Sequence, residues 1–261
     1  MNKLYVFLPC YNEELNIAIL IDEWMEQYDK LLENGYELTV CPIDDCSKDN
    51  TRRVMNDCAI KYGTDKVSVI VHEVNKNLRG GLNTSISTFL SIGRPGDLMC
   101  LMDGDATHSP KYVHPMLAKM KSTGKDCIIA SRYRPGADVI GLKGYRKFLS
   151  DMAKIYYSVV LRVPGVKDYT CGYRLYNLDC IKRLKEVFGE EPIKETSFAC
   201  MMEFLYKLHL SGTTFDEVGF ELRYDKKQGD SKMRVSSTIK NSLFSALRFR
   251  KLKKQIRKKD K

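Results

Sequence analysis

The most constraining feature of this chain is a regular alternation of short β-rich runs and helical patterns over residues 1–130. The predicted strands are Leu4–Pro9, Tyr36–Ile43, Lys66–Val71, Leu98–Met102 and Cys127–Ala130. The predicted helices between them are Glu14–Leu32, Asp49–Tyr62, Leu82–Leu90 and Pro110–Lys121. Because strand–helix–strand units form right-handed crossovers, this rhythm predicts an α/β fold with a mostly parallel sheet flanked by helices.

Polar side chains follow the carboxyl end of every predicted strand, which is where ligands bind in open α/β sheets. These residues are Pro9 at the strand end with Tyr11, Asn12 and Glu13, then Asp44, Asp45, Ser47, Asp49 and Thr51, then Asn75, Lys76, Asn77 and Arg79, then Asp103, Asp105, Thr107 and His108, then Ser131, Arg132 and Tyr133. Any one of them has a simpler explanation as a turn or a helix cap, as at Asp49. Five polar strand ends on one edge predict a functional site there.

The sharpest motif is Asp103-Gly104-Asp105, directly after the fourth predicted strand. Two carboxylates one residue apart can bind a hard divalent cation, Mg²⁺ or Mn²⁺, that takes diphosphate oxygens as further ligands. Such an ion neutralises a leaving nucleoside diphosphate. An Asp-x-Asp pattern is common by chance, and a solvated turn is the alternative interpretation. The prediction of a metal site therefore depends on the position of the motif directly after a buried strand.

Four segments in order, LPCYNEELNI, DDCSKDNT, DGDATHSP and ASRY, resemble the signatures of family 2 glycosyltransferases with a GT-A fold. The later DYTCGYRLY, and Arg223 with Gly229 to Lys232, resemble the subgroup that glycosylates polyprenyl phosphates, such as dolichyl-phosphate mannose synthases. The resemblance implies an inverting, metal-dependent transfer of a hexose from a GDP- or UDP-sugar to a dolichyl or undecaprenyl phosphate. It divides the chain into a GT-A domain, 1–235, and a basic amphipathic helical tail, 236–261.

The resemblance also implies residue roles on the donor side. The nucleotide-sugar would contact Pro9, Tyr11, Asn12, Glu13, Asp44, Asp45, Arg79 and Asp103, with Asp44 and Asp45 at the base. The metal would be held by Asp103, by Asp105 as principal ligand, and by Thr107, where many relatives have Gln. Arg79 lies in a segment that departs from the more usual Asn-x-Gly spacing.

The acceptor side follows from the chemistry of a lipid phosphate, which is already ionised near pH 7. It needs cations that hold it in line with the anomeric carbon, and arginine does this with two parallel hydrogen bonds. The candidates are Arg132, Arg146, Arg174, Arg223 and Lys232, and the resemblance favours Arg132, Arg146 with Ser150, and Arg223. Lys226 or Lys227 are alternatives, and each of these cations is otherwise a surface charge.

Two further polar residues have open roles. Asp168 lies in the DYTCGYRLY segment, and the resemblance implies that it acts with Asp105 and Arg132 in catalysis, as a base or by orienting the acceptor. His108 follows the acidic motif and is as well explained by structure as by catalysis.

The net charge of +10 is concentrated at the end of the chain, where residues 248–261 carry nine basic side chains and one acidic. Apolar residues recur at approximately helical spacing from Ile239 to Ile256, which predicts an amphipathic helix at an anionic membrane surface. Leu142–Leu161 also has the pattern of an amphipathic helix, and the resemblance implies that it lies at a membrane interface. The alternatives are a solvated tail and a helix packed on the sheet. No apolar run approaches the ~18 residues that span a bilayer, so we expect peripheral attachment or a membrane-embedded partner protein.

The remaining composition restricts location and class. The first residues read as a buried strand and not as a signal peptide, and the nine cysteines show no Cys-x-x-Cys pair, so we expect reduced thiols and a cytosolic location. A family 2 transferase with a polysaccharide or protein acceptor is the alternative function. A sugar-nucleotide pyrophosphorylase would have a Gly-rich N-terminal loop, which the segment LPCYNEE does not resemble. Outside the basic tail the chain is nearly neutral and its predicted sheet edge is acidic, which argues against nucleic acid as a partner.

Overall fold

The computed structural model describes residues 1–141, 144–225, 228 and 243–252, and for residues 144–150 it describes the backbone alone. The predicted Arg146, Ser150, Lys226, Lys227 and Lys232 side chains therefore lie outside the described residues, as do residues 236–242 and 253–261 of the predicted tail.

A seven-stranded sheet forms the centre of the described chain. Its strands are β1 (Asn2–Cys10), β2 (Tyr36–Asp44), β3 (Ile70–Val71), β4 (Leu98–Leu101), β5 (Cys127–Ser131), β7 (Arg174–Asn177) and β8 (Phe215–Gly219). They lie in the order β3-β2-β1-β4-β7-β5-β8, and β7 runs antiparallel to both neighbours while the other pairs are parallel. Two short strands, β6 (Asp138–Ile140) and β9 (Glu221–Arg223), pair separately. The predicted mostly parallel sheet is confirmed.

Helices cover both faces of the sheet. They are α1 (Ile17–Met25), α2 (Tyr28–Glu33), α3 (Thr51–Tyr62), α4 (Asn77–Ile92), α5 (Val113–Thr123), α6 (Gly144–Leu161), α7 (Leu178–Phe188) and α8 (Cys200–Leu210), with a 3₁₀ turn at Pro110–Tyr112 and further helix over residues 243–252. The predicted helix Glu14–Leu32 is two helices. The predicted strand Lys66–Val71 shortens to two residues because it lies at the sheet edge and pairs with β2 alone.

The core explains why the strands read as apolar runs. Leu4, Val6, Phe7 and Leu8 of β1 are all fully buried, as parallel strands covered on both faces require. Trp24 of α1 is also fully buried and meets the ring of Tyr173 edge-on at 6.4 Å. All nine cysteines fall within the described residues and are free thiols, with eight of them buried and Cys46 partly so.

Topology gathers the site at the carboxyl ends of β1, β2 and β4. Because β7 inserts between β4 and β5, the loop that precedes β7 also reaches this edge. That loop carries Asp168, which sequence order alone places far from Asp103.

Candidate active site

The acidic motif lies at the end of β4, where Asp103 and Asp105 are both half-buried. A Cβ atom at Gly104 would come within 2.3 Å of the Cys10 Sγ atom, so only glycine allows this close approach to the end of β1. Ala106 has a φ of 57°, a left-handed conformation that turns the chain back toward Asp105. The motif is therefore held against the sheet.

Thr107 donates two hydrogen bonds to the Asp105 carboxylate. Its hydroxyl donates to Oδ1 of Asp105 at 2.7 Å, and its backbone N–H donates to the same oxygen at 3.2 Å. The hydroxyl also lies 3.1 Å from Nδ1 of His108, whose ring stacks on Phe220. Because Thr107 is buried and its hydroxyl already has these two partners, its geometry suits orientation of the Asp105 carboxylate.

The donor set at this edge fits a divalent cation such as Mg²⁺ or Mn²⁺. Asp103 and Asp105 offer hard oxygen ligands that keep partial access to solvent. Across the described part of the chain, no cluster of three or more His, Cys, Asp or Glu side chains forms a closed metal cage. An ion held by one or two carboxylates takes its other ligands from water and from a bound diphosphate.

The loops after β1 and β2 are tied together by reciprocal hydrogen bonds. The Asn12 backbone N–H donates to the Ser47 hydroxyl at 3.0 Å, and its side-chain oxygen accepts from the Lys48 N–H at 2.8 Å. The Glu13 N–H donates to the Thr51 hydroxyl at 2.7 Å. Asn12 has a φ of 54°, so it serves as the left-handed corner of this loop.

Pro9 and Tyr11 are the other two residues predicted to contact the donor near the end of β1, and they lie in different places. Pro9 lies inside β1, where it is paired with Ile43, because the strand continues to Cys10, one residue past its predicted end. A Cβ atom at Gly81 would lie 2.8 Å from Pro9, so α4 begins in close contact with β1. Tyr11 lies beyond the strand and is half-buried.

Asp44 and Asp45 are both buried at the end of β2 and have different partners. Oδ1 of Asp44 accepts from the Ser47 N–H at 3.1 Å across a turn in which Cys46 has a φ of 59°. Oδ1 of Asp45 accepts from His72 Nδ1 at 2.7 Å and from the Lys76 N–H at 2.8 Å. Sequence reasoning missed His72, because a lone histidine after an edge strand carries no signal of its partner.

Arg79 lies half-buried in the first turn of α4. This helix follows β3, which is the neighbour of β2 in the sheet. Asn77 explains the departure from the more usual Asn-x-Gly pattern. Its φ of 59° is left-handed, a conformation that asparagine tolerates better than most residues other than glycine. The loop geometry that glycine permits is therefore kept.

Arg132 and Asp168 form a buried ion pair after β5. Nε of Arg132 donates to Oδ2 of Asp168 at 2.8 Å, and Nη2 donates to Oδ1 at 2.6 Å. Backbone N–H groups of Thr170 and Cys171 donate to the same carboxylate. Burial alone raises the pKa of Asp168, but the Arg132 guanidinium and these hydrogen bonds outweigh it and hold the pKa below its usual range.

This environment corrects one predicted role. Asp168 has no exposed side-chain surface, and both of its oxygens already accept hydrogen bonds. A general base must reach the proton that it removes. Asp168 is therefore not placed to act as a base, and its geometry suits positioning of Arg132.

A second ion pair, in which Glu217 is buried and Arg134 partly exposed, supports the first. Nε of Arg134 donates to Oε2 of Glu217 at 2.7 Å, and Oε1 of Glu217 accepts from the N–H groups of Lys167 and Asp168. Burial raises the pKa of Glu217. A Cβ atom at Gly172 would lie 2.4 Å from Oδ1 of Asp103, so the same loop also presses against the acidic motif. The ion pair and the motif thus share one loop.

The family model described as Glycosyl transferase family 2 matches residues 5–185, which is more than half of the chain and includes this acidic edge and the buried ion pair. The chain belongs to glycosyl transferase family 2. The predicted family is confirmed.

Two relatives of this family 2 chain carry names from the predicted subgroup. Dolichol-phosphate mannosyltransferase of Pyrococcus furiosus is 28% identical over 234 residues, which cover 89% of this chain and 59% of that protein. Polyprenol monophosphomannose synthase of Mycolicibacterium smegmatis is 24% identical over 244 residues, which cover 93% of this chain and 84% of that protein. The chain thus spans less than two thirds of the length of the Pyrococcus protein.

Solved structures confirm the GT-A fold. Glucosyl-3-phosphoglycerate synthase from Mycobacterium tuberculosis, in complex with Mn²⁺, UDP and glucosyl-3-phosphoglycerate, matches with a TM-score of 0.64 at 17% identity over 95% of this chain and 80% of that chain. The crystal structure of a mycobacterial protein matches with a TM-score of 0.67 at 13% identity, over 95% of this chain and 74% of that chain. At these identities the likeness concerns the fold alone.

Two of the predicted phosphate-binding arginines of the family 2 chain are already engaged. Arg174 is fully buried, and its terminal nitrogens donate to the carbonyl oxygens of Met201 and Tyr169 at 3.1 and 3.0 Å, so its candidacy is wrong. Arg223 places its backbone N–H on the Thr107 carbonyl oxygen at 2.9 Å. Its guanidinium is held by Asp225 and Glu221, which raise its pKa.

The described parts of the two predicted amphipathic helices are in contact. The Tyr156 hydroxyl of α6 donates to the Leu243 carbonyl oxygen at 2.9 Å, at the start of helix 243–252. Large apolar side chains near this junction are about half exposed, namely Met152, Ile155 and Val159 of α6, and Phe244 and Leu247 of helix 243–252. Other residues of both helices are buried, including Tyr157, Ala246 and Phe249. Of the helices that the structure describes, none combines the length and the apolarity needed to cross a membrane.

Proposed function

We propose that the chain is an inverting glycosyltransferase that moves a hexose from a GDP- or UDP-sugar to a polyprenyl phosphate, with Mg²⁺ or Mn²⁺ as cofactor. One observation carries the proposal. Gly172 brings the loop of Asp168, and with it the Arg132–Asp168 ion pair, against Asp103 of the acidic motif. A carboxylate pair suited to a metal-bound diphosphate thus lies beside an arginine suited to a phosphate acceptor.

On the donor side, Asp105 is the principal metal ligand and Asp103 lies beside the ribose and diphosphate. The bound ion supplies charge neutralisation at the leaving diphosphate. Thr107 orients the Asp105 carboxylate through its hydroxyl, which replaces the auxiliary ligand role expected from the sequence. The base lies between the loops after β1 and β2, near Tyr11 and Asp45, and Arg79 contacts the donor phosphates.

On the acceptor side, Arg132 holds the lipid phosphate. Asp168 accepts hydrogen bonds from Nε and Nη2 of the Arg132 guanidinium. The third nitrogen of Arg132, Nη1, makes no hydrogen bond to any residue that the structure describes. A guanidinium that is already held in place, with one nitrogen available to donate, loses little conformational entropy when it binds an anion. Since a phosphate is ionised near pH 7, the reaction proceeds without a general base, in agreement with the buried position of Asp168.

The membrane side follows from the exposed apolar surface of α6 and helix 243–252. Arg250 and Lys251 stand on the second helix near Phe244 and Leu247, and Arg248 of the same helix pairs with Glu195. An apolar face with neighbouring cations suits an anionic bilayer surface. Peripheral attachment at the cytosolic face would bring Arg132 near a lipid phosphate, and a membrane-embedded partner protein would add to this attachment.

The test is a transfer assay with the purified protein in Mn²⁺ or Mg²⁺. Labelled UDP- and GDP-sugars are offered with dolichyl phosphate, undecaprenyl phosphate, the unphosphorylated polyprenols, and soluble glycan or peptide acceptors. We expect label in a lipid product that depends on the phosphate. Transfer to a glycan or peptide, with none to a polyprenyl phosphate, would overturn the proposal.

A further inference from the structure

His72, Asp45 and Thr84 form a hydrogen-bonded chain across three elements of the fold. Nδ1 of His72 lies 2.7 Å from Oδ1 of Asp45, and Nε2 lies 2.8 Å from the Thr84 hydroxyl. Asp45 follows β2, His72 follows β3, and Thr84 lies in α4. His72 and Asp45 are both buried, so this contact excludes water.

The arrangement fixes the protonation of one ring nitrogen. An ionised carboxylate only accepts hydrogen bonds, so Nδ1 of His72 must carry a hydrogen and donate it to Asp45. The Thr84 hydroxyl can donate to Nε2 or accept from it, and it holds the ring in plane in either case. Hydrogen bonds at both ring nitrogens therefore fix the orientation of the imidazole.

One oxygen of Asp45 is fully engaged and the other is not. Oδ1 accepts from His72 and also from the Lys76 N–H at 2.8 Å. Oδ2 makes no hydrogen bond to the described residues, and it is absent from the buried polar atoms of that part of the chain that lack a partner, so it retains access to solvent. Asp45 therefore presents a single acceptor in a fixed direction at the nucleotide edge of the sheet.

We propose that His72 is a positioning residue that fixes Asp45 to select donor bases bearing a ring N–H next to a carbonyl. This rests on the proposed function, which places a nucleotide-sugar at this edge. Uracil and guanine offer such an N–H, whereas the corresponding ring nitrogens of adenine and cytosine are acceptors that would face the carboxylate. A site built around one hydrogen bond discriminates against analogues that cannot make it.

The test uses two substitutions of matched size, His72→Asn and His72→Leu. Both remove the ring, but only asparagine keeps an N–H donor near the position of Nδ1. Binding of UDP, GDP, ADP and CDP is measured by calorimetry in Mn²⁺, with thermal unfolding to verify the fold. For the nucleotide that the wild type prefers, we expect His72→Leu to bind about tenfold more weakly than His72→Asn, because a hydrogen bond to a charged group is lost.

Two readouts separate positioning from a merely structural role. The ratio of affinities for the preferred nucleotide and for ADP should fall in His72→Leu and be kept in His72→Asn. In the transfer assay, the KM for the nucleotide-sugar should rise in His72→Leu while kcat stays near the wild-type value, as expected when uniform binding is lost. A purely structural defect would lower the affinities for all four nucleotides by the same factor.

Thr84→Val gives a second route if His72→Leu folds poorly, with Thr84→Ser as its control. We expect Thr84→Val to weaken binding of the preferred nucleotide and Thr84→Ser to preserve it. Equal binding by the matched pairs at both positions, with normal wild-type binding, would overturn this inference alone. A wild-type protein that binds neither UDP nor GDP in Mn²⁺ would overturn the proposed function together with it.

Discussion

Arg132 donates three hydrogen bonds to the carboxylate of Asp168, from its backbone N–H, from Nε and from Nη2, at 3.0, 2.8 and 2.6 Å. Asp168 has no exposed side-chain surface, whereas the Arg132 side chain is 16% exposed. The arginine thus stands between a buried anchor and the solvent at the site. This geometry suits the presentation of a cation to the solvent better than it suits proton transfer by Asp168.

Replacement of Arg132 by lysine should separate acceptor binding from donor binding. Lysine keeps the charge but cannot form the forked contact with Asp168, so the cation loses its fixed direction. We expect kcat/KM for the polyprenyl phosphate to fall by about 100-fold, the rate loss that misplacement by about 1 Å can cause. Calorimetric affinity for the nucleotide in Mn²⁺ should stay near wild type, and a parallel loss of both would contradict the assignment.

Asp168→Asn should remove the part of the pH dependence of stability that the Arg132–Asp168 ion pair gives the wild type. The folded-state pKa of Asp168 is lowered, so its stabilising effect is fully present above the ordinary aspartate pKa of about 3.9 and is lost as the pH falls through the folded-state value. Removing one partner of a buried pair costs roughly 3–5 kcal/mol. Urea unfolding should therefore show a large wild-type advantage at pH 7 that shrinks as the pH falls below about 3.9. An advantage that is independent of pH would argue against the ion pair.

Asp105→Asn should abolish transfer while the fold is kept. The substitution preserves shape and removes the charge that a hard cation requires. Asp105 is only half-buried, so we expect circular dichroism and the thermal unfolding temperature to stay near wild type. Product formation is measured with saturating Mg²⁺ and with saturating Mn²⁺, and retained turnover in either would refute the metal assignment.

Thr107 offers a finer test of the same site through Thr107→Val and Thr107→Ser. Valine removes the hydroxyl that holds Asp105 at 2.7 Å, and serine keeps it. Loss of a residue that orients a metal ligand costs about 10- to 100-fold in metal affinity or activity. The Mn²⁺ concentration for half-maximal nucleotide binding should rise in the valine variant alone. If the two variants need the same Mn²⁺ concentration, the hydroxyl does not orient the ligand.

Membrane attachment is tested with Ile155→Glu and Val159→Glu combined on α6. Charges on the exposed apolar face should disfavour its insertion into the lipid interface, so co-sedimentation with anionic vesicles should fall strongly. Ile60→Glu is the control, because Ile60 is an exposed apolar residue on α3, outside the proposed surface. Nucleotide binding should be unchanged in both proteins, and equal sedimentation of the variant and the control would rule out this face.

The sequence by itself determined the features that depend on local pattern. Apolar runs alternating with helical periods specified the parallel sheet, and the position of Asp103 and Asp105 after the fourth run placed them at its binding edge. The ordered motifs specified the family. Each of these rests on residues close together in the chain, where spacing constrains geometry directly.

Only the tertiary structure decided which distant residues meet. Insertion of the antiparallel β7 between β4 and β5 brings the Asp168 loop to Arg132 and Asp103, and the same packing buries Arg174 on main-chain carbonyl oxygens. His72 acquires its partners from β2 and α4. Sequence spacing does not encode such pairings, because a polar residue's role depends on burial and on donors supplied by other elements. That is why Asp168, expected as a possible base, is instead the buried anchor of an arginine.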